Sequence, residues 1–253
     1  YNKKYWKYAL LFSIPLLPHS LSSIANAQFD RIIINKYLGA SETGIYSFAY
    51  NIGMIINVIR AAFDQAWNPW AYDKISRNQI DELRQRSLIY RDVFVVFYMW
   101  LLFLSPEIIK FMADESYWDG LSLIPWIFIS YYFSFMSGFE INVQRYNKKT
   151  MFISIGTIFS ALINILLNII FVPRYGYVAA AITTAISFFT LFIFHLFITK
   201  KITNNNIYGV RFHLKSLLYV AVITLAFLIT KASILIRAVT LIIISAIIIK
   251  KNI

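Results

Sequence analysis

From residue 87 onward the sequence is a succession of apolar runs, at about 87–110, 120–144, 151–172, 177–199, 214–231 and 236–249. Each approaches or reaches the ~20 residues that an α-helix needs to cross a bilayer, although the last is short. In hydrocarbon every backbone N–H and C=O must find its partner inside the protein, so runs of this length separated by short connections dictate packed helices. Two earlier segments, about 6–38 and 44–69, bring the expected number of spans to about eight. The predicted fold class is all-α, a polytopic membrane helix bundle.

Composition closes the soluble alternative. With 59% hydrophobic and 14% charged residues in 253, and a mean hydropathy of +0.62, the chain has too little polar surface to cover a globule in water. A net charge of +12 raises nucleic acid as a partner, but the basic residues sit in short clusters between apolar runs, where the positive-inside rule puts them, so nucleic acid is rejected. On the expected cytoplasmic side fall Lys3, Lys4 and Lys7; Lys74, Arg77, Arg84 and Arg86; Arg145, Lys148 and Lys149; Lys200, Lys201, Arg211 and Lys215; and Lys250 and Lys251. The opposite side holds only Lys36, Lys110, Arg174, Lys231 and Arg237. This alternation predicts an even number of spans with both termini cytoplasmic.

Cysteine is absent, which excludes disulfides, thiolate metal sites and a cysteine nucleophile. His19, His195 and His213 are scattered and expected at interfaces, and the outer connections of about 4–9 residues carry no acid–base constellation. No catalytic residue, no metal ligand set and no enzymatic activity are expected.

Within 44–69, Tyr46, Tyr50, Gly53, Asn57, Arg60, Asp64 and Asn68 recur at steps of three and four, among Ile52, Ile55, Ile56, Val58 and Ile59. The pattern is a polar stripe on an apolar rod. Two readings stay open: a wet face lining a path, or a structural ion pair between Arg60 and Asp64 near one membrane surface. The segment 6–38 is expected to bend at Pro15 and Pro18. A second stripe follows in His19, Ser23, Asn26 and Asp30, with Asp30 and Arg31 either facing a cavity or sitting at the outer interface. A turn is expected over 37–44 and the longest polar loop over 71–86. Farther on, Gly156, Ser160, Asn164 and Asn168, then Ala179–Ala181, Thr183, Thr184 and Ser187, read first as helix-packing and interhelical hydrogen-bonding positions.

Several of these residues fall at familiar offsets. Pro18, Asp30-Arg31, Tyr37-Leu38-Gly39, Gly44-Ile45-Tyr46 and Gln65-Ala66-Trp67-Asn68-Pro69 resemble the start of the second half of polysaccharide-biosynthesis flippases, the O-antigen type within the multidrug/oligosaccharidyl-lipid/polysaccharide exporter superfamily. Asn164 and Pro173-Arg174-Tyr175-Gly176, followed by the Ala and Thr positions, are similar to that family's next-to-last core hairpin, with Ala179 where the family usually has Gly. The resemblance covers about residues 6–199. It implies two six-helix bundles, of which 1–199 would be the second and 200–253 a cytoplasmic loop plus two additional transmembrane helices, the chain being the C-terminal piece of a longer transporter.

The function so implied is movement of an undecaprenyl-diphosphate-linked oligosaccharide across a bacterial inner membrane by alternating access, for O-antigen, lipopolysaccharide or another surface polysaccharide. The substrate-binding residues it suggests are Arg60 and Arg31 for the diphosphate, and Asn57, Asn26, Tyr46 and Tyr50 for the sugars, with Asp64 orienting Arg60. No cofactor is expected, and coupling to a Na⁺ or H⁺ gradient would run through Asp30 or Asp64. The partners implied are the lipid-linked oligosaccharide, membrane lipids and a first bundle. Alternatives are a drug or ion exporter of the same superfamily, a membrane polymerase or ligase of polysaccharide assembly, and a structural membrane subunit.

Overall fold

The computed structural model describes residues 3–14, 17–203, 207–231 and 233–250. Its elements are α1 (Lys3–Ser13), α2 (Leu17–Tyr37), α3 (Ala40–Ser76), α4 (Ile80–Met112), a 3-10 helix (Glu115–Ser122), α5 (Ile124–Tyr146), α6 (Thr150–Tyr175), α7 (Tyr177–Thr203), α8 (Val210–Thr230) and α9 (Ile234–Lys250). The chain is an all-α membrane bundle, as its apolar runs require.

Among the described residues four helices are long and apolar enough to cross a bilayer, α4, α6, α7 and α8, and a fifth is reached if the 3-10 helix and α5, which meet at 52°, form one broken span. Helix α9 is apolar but short, as expected. Helices α2 and α3 stay below that apolarity because the two polar stripes lie along them, and many of those polar groups are bonded within the protein rather than offered to lipid.

Three local expectations change. The first segment is two helices, α1 and α2, with Pro18 in the opening turn of α2, while Pro15 and the side chains of His19, Ser23 and Asn26 lie outside the described residues. Helix α3 runs through Pro69 to Ser76 and α4 begins at Ile80, so the polar stretch 71–86 is nearly all helix around a short turn at 77–79. Pro69 is tolerated because the only backbone bond it forfeits is to the carbonyl of Gln65, a residue exposed to solvent. At 37 residues α3 is ~55 Å long, well beyond a ~30 Å hydrocarbon core, and its polar end is fixed by Lys74 to Glu82 at 2.9 Å and Arg77 to Asp73 at 2.9 Å. Third, His195 and His213 are buried among helices rather than exposed at the surface; His195 Nδ1 meets Gln144 Oε1 at 3.1 Å.

Two compact units divide the chain, and two of the three boundaries fall inside α3 and α5, the third between residues 205 and 206. The first comprises 1–47 and 133–205. Here α6 packs on both α2 and α7, and Gly156 is needed for the close approach to α7: a Cβ there would lie 2.7 Å from Phe194 and 2.8 Å from His195. Ser160 Oγ donates to the Ser187 carbonyl at 2.8 Å, so the small residues act in packing as expected. The α6–α7 turn closes at Gly176, whose φ of +76° suits glycine and whose N–H caps the Val172 carbonyl at 2.9 Å.

The second unit comprises 48–132 and 206–253. Helix α4 is its spine, with α8 and α9 both packed on it. The fully buried Arg91 pairs with Asp92 at 2.5 Å, donates to the Phe212 carbonyl at 3.2 Å and lies 5.1 Å from the ring centres of Phe212 and Tyr219. Arg84 to the Ile207 carbonyl at 2.6 Å, Tyr98 to Thr224 at 3.3 Å and Trp100 to Ser245 at 3.1 Å fasten α8 and α9 along the same helix.

Candidate functional site

In the first unit, the Asp30 carboxylate is completely buried and accepts three hydrogen bonds: from Tyr46 Oη at 2.5 Å, Asn168 Nδ2 at 2.6 Å and Thr184 Oγ1 at 2.7 Å. A second layer holds the donors. Asn164 donates to Thr184 at 3.0 Å, Asn168 also reaches Asn164 Oδ1 at 3.1 Å, and Thr183 donates to Asn168 Oδ1 at 2.9 Å. Four helices thus converge on one carboxylate through residues up to 154 positions away in sequence. A buried carboxylate without such partners is penalised by several kcal/mol, and charge-assisted bonds of ~1.5–3 kcal/mol each offset that cost. Asp30 is therefore an interior residue of the first unit, held by packed helices rather than facing an open cavity. Asn164, Asn168, Thr183 and Thr184 serve this carboxylate as well as helix packing. The groups around it, an amide NH2 and two hydroxyls, all donate hydrogen bonds to the carboxylate and so hold it as an acceptor. Among the described residues no three His, Cys, Asp or Glu side chains gather into a metal-binding cluster.

Arg31, next in sequence, is only partly buried and donates to Gln28 at 2.9 Å along the same helix. With Gln28, Asn35, Lys36 and Thr43 it lines a cavity of about 720 Å³ in the first unit.

The rest of the stripe belongs to the second unit. Arg60 Nη1 meets Asp64 Oδ2 at 2.5 Å, Arg60 Nε donates to Asn57 Oδ1 at 3.0 Å, and the side chains of the charged pair remain 24% and 23% exposed. The one-turn spacing is what the sequence suggested. What it did not suggest is Tyr90 on α4, which donates to Asp64 Oδ1 at 3.2 Å and stacks on Trp67 with ring centres 4.4 Å apart. Trp70 lies 5.0 Å from Trp67, and Trp67, Trp70, Tyr90, Glu82 and Arg86 line a cleft of about 390 Å³. Tyr90 joins the ion pair to this aromatic cleft; twenty-six residues from Asp64 and on another helix, it leaves no periodicity that could have flagged it. Tyr50 packs against Tyr131 with ring centres 5.9 Å apart. The eight suggested residues thus divide: Asp30 and Tyr46 in one network, Asn57, Arg60 and Asp64 in another, Arg31 beside its own cavity, Tyr50 in packing, and Asn26 with a side chain outside the described residues.

Residues 1–73 match the family described as polysaccharide biosynthesis protein. An uncharacterized membrane protein of Methanocaldococcus jannaschii is 28% identical over 199 residues, 76% of this chain and 46% of that protein. Protein 1 of the Lsg locus of Haemophilus influenzae is 24% identical over 110 residues, 43% of this chain and 25% of that protein. The chain therefore spans under half the length of either relative. Among solved structures, the Vibrio cholerae MATE transporter VcmN in its bent form superposes with a TM-score of 0.62 at 18% identity, over 87% of this chain and 53% of VcmN. The chain shares the fold of this transporter, and its first 73 residues match the polysaccharide biosynthesis family.

Proposed function

We propose that this chain is the second helical bundle, with a terminal helix pair, of a flippase that moves a polyprenyl-diphosphate-linked oligosaccharide between membrane leaflets. Its product feeds O-antigen or another surface polysaccharide, and the membrane is the bacterial inner membrane. The observation that carries the reading is the joined site of the second unit, where a partly exposed guanidinium adjoins an aromatic cleft through Tyr90. A diphosphate in a low-dielectric path needs a cation with several donors, and Arg60 supplies it, held at rest by Asp64 and Asn57. Sugars present apolar faces edged by hydroxyls, and Trp67, Trp70 and Tyr90 with Glu82 and Arg86 supply rings edged by polar groups. No bond is made or broken; the site binds differently in its two accessible states.

The Asp30 network is the coupling element of this proposal. Neutralising its carboxylate with a proton or Na⁺ releases the hold on Tyr46, Asn168 and Thr184, and so links charge at one atom to the packing of α2, α3, α6 and α7. The test is depletion of the full-length protein in its host. Lipid-linked repeat units should accumulate in the cytoplasmic leaflet while surface glycan falls; unchanged surface glycan would sink the reading.

A further inference from the structure

At the end of the second unit opposite the 77–79 turn, α4, the 3-10 helix, α5, α8 and α9 enclose a cavity of about 730 Å³. Its charged lining is Glu107, Lys110, Asp119, Lys231 and Arg237, beside Trp118 and Ser122. Arg237, in the first turn of α9, is 5% exposed, and its terminal nitrogens donate to Glu107 Oε1 and to the Lys231 carbonyl. Its Nε–H is buried and meets no acceptor among the described residues. A desolvated charged donor left unmet is a cost that a bound acceptor relieves. Glu107 already answers Arg237, so the remaining charges of the lining are the exposed Lys110 and Lys231 against Asp119, and the cavity is net cationic.

The surroundings point to lipid. The cavity wall continues into Phe227 and Leu228, and the neighbouring Ile229 and Leu235 are 81% and 76% exposed, an apolar surface that belongs against acyl chains. Trp118 turns its indole N–H to the Ala113 carbonyl at 3.3 Å and its ring to Lys110, 5.0 Å away, an amphipathic placement typical of the headgroup level.

We propose that this cavity binds the phosphate of a glycerophospholipid headgroup, with Arg237 Nε and the Lys231 ammonium on the phosphate oxygens and the acyl chains along α8 and α9. The site is separate from the Arg60 and Asp30 networks and does not depend on the transport reading. It gives the terminal helix pair a task, anchoring a resident lipid on the face that the charge distribution places outside the cytoplasm.

The experiment is thermal unfolding of the full-length protein in detergent, with native mass spectrometry of retained lipid, against added phosphatidylglycerol, diacylglycerol or inorganic phosphate. Phosphatidylglycerol should raise the midpoint by mass action and stay bound, and diacylglycerol, which lacks the phosphate, should not. Arg237→Gln and Lys231→Gln should each weaken phosphatidylglycerol retention about tenfold, ~1.4 kcal/mol, relative to the unsubstituted protein. Lys231 is exposed, so Lys231→Gln decides the matter if Arg237→Gln does not fold. Stabilisation by inorganic phosphate equal to that by phosphatidylglycerol overturns the lipid assignment. Equal lipid retention by the unsubstituted protein and Lys231→Gln, or no effect of phosphatidylglycerol at all, overturns the site.

Discussion

Substituting Arg60 separates a phosphate ligand from a structural partner, because Asp64 holds it at 2.5 Å while Tyr90 holds Asp64 from the next helix. In the full-length protein Arg60→Lys should keep part of the transport activity, since a point cation remains, and Arg60→Gln should lose it, both at normal abundance. If Arg60 mattered only as the partner of Asp64, Arg60→Gln would lower abundance, and adding Asp64→Asn would restore transport. Asp30 is tested differently. Asp30→Asn keeps the side-chain volume and most hydrogen bonds, so it should fold and bind glycolipid yet lose dependence on the proton or Na⁺ gradient. Asp30→Ala leaves Tyr46, Asn168 and Thr184 without their common acceptor and should cost about 3 kcal/mol or more, read as a lowered unfolding midpoint. At this scale the sequence revealed what lies on one helix. Arg60, Asp64 and Asn57 were legible through three- and four-residue spacing, but the partners of Asp30 are 16, 138 and 154 residues away, and no local pattern encodes such meetings.

Helices are held together by glycines whose roles differ in kind. A Cβ at Gly53 would stand 2.3 Å from the Ile127 Cγ2 methyl, on a β-branched side chain with little rotamer freedom, so Gly53→Ala should cost ~1–3 kcal/mol through forced separation of α3 and α5 within the second unit. At Gly176 nothing stands within 4 Å, and the cost of Gly176→Ala is purely conformational, ~1–2 kcal/mol for an L-residue at φ +76°. The two are distinguishable by cavity-making rescue: Ile127→Ala should relieve Gly53→Ala, and no neighbour substitution should relieve Gly176→Ala. The 3-10 helix has its own cap, Asp114 accepting from the Ser116 N–H at 3.1 Å, which keeps that carboxyl below the ordinary carboxylate range. Because the shift is downward, the cap is intact at neutral pH and fades only on acidification past the ordinary range. Apolar runs made α4 to α9 legible as elements. The 71–86 stretch misled because its charges read as a loop, whereas Lys74 pairs with Glu82 across the turn between α3 and α4 and Arg77 pairs with Asp73 one turn back.

For the molecule as a whole, the alternating basic clusters predict which ends of helices share a side. Ser41 and Ser76 lie near opposite ends of α3, and the chain has no native cysteine, so single Ser41→Cys and Glu115→Cys should label from outside and Ser76→Cys and Asn147→Cys from the cytoplasm. Labelling of Ser41→Cys and Ser76→Cys from the same side would contradict the threading. The central claim is that the protein moves a lipid-linked glycan, and the direct measurement is leaflet exchange in vesicles containing the full-length protein and a fluorescent polyprenyl-diphosphate oligosaccharide. The account predicts translocation well above that of protein-free vesicles, faster with a proton or Na⁺ gradient and abolished by Arg60→Gln. A rate equal to that of protein-free vesicles, in a preparation that expels a cationic drug, would contradict it.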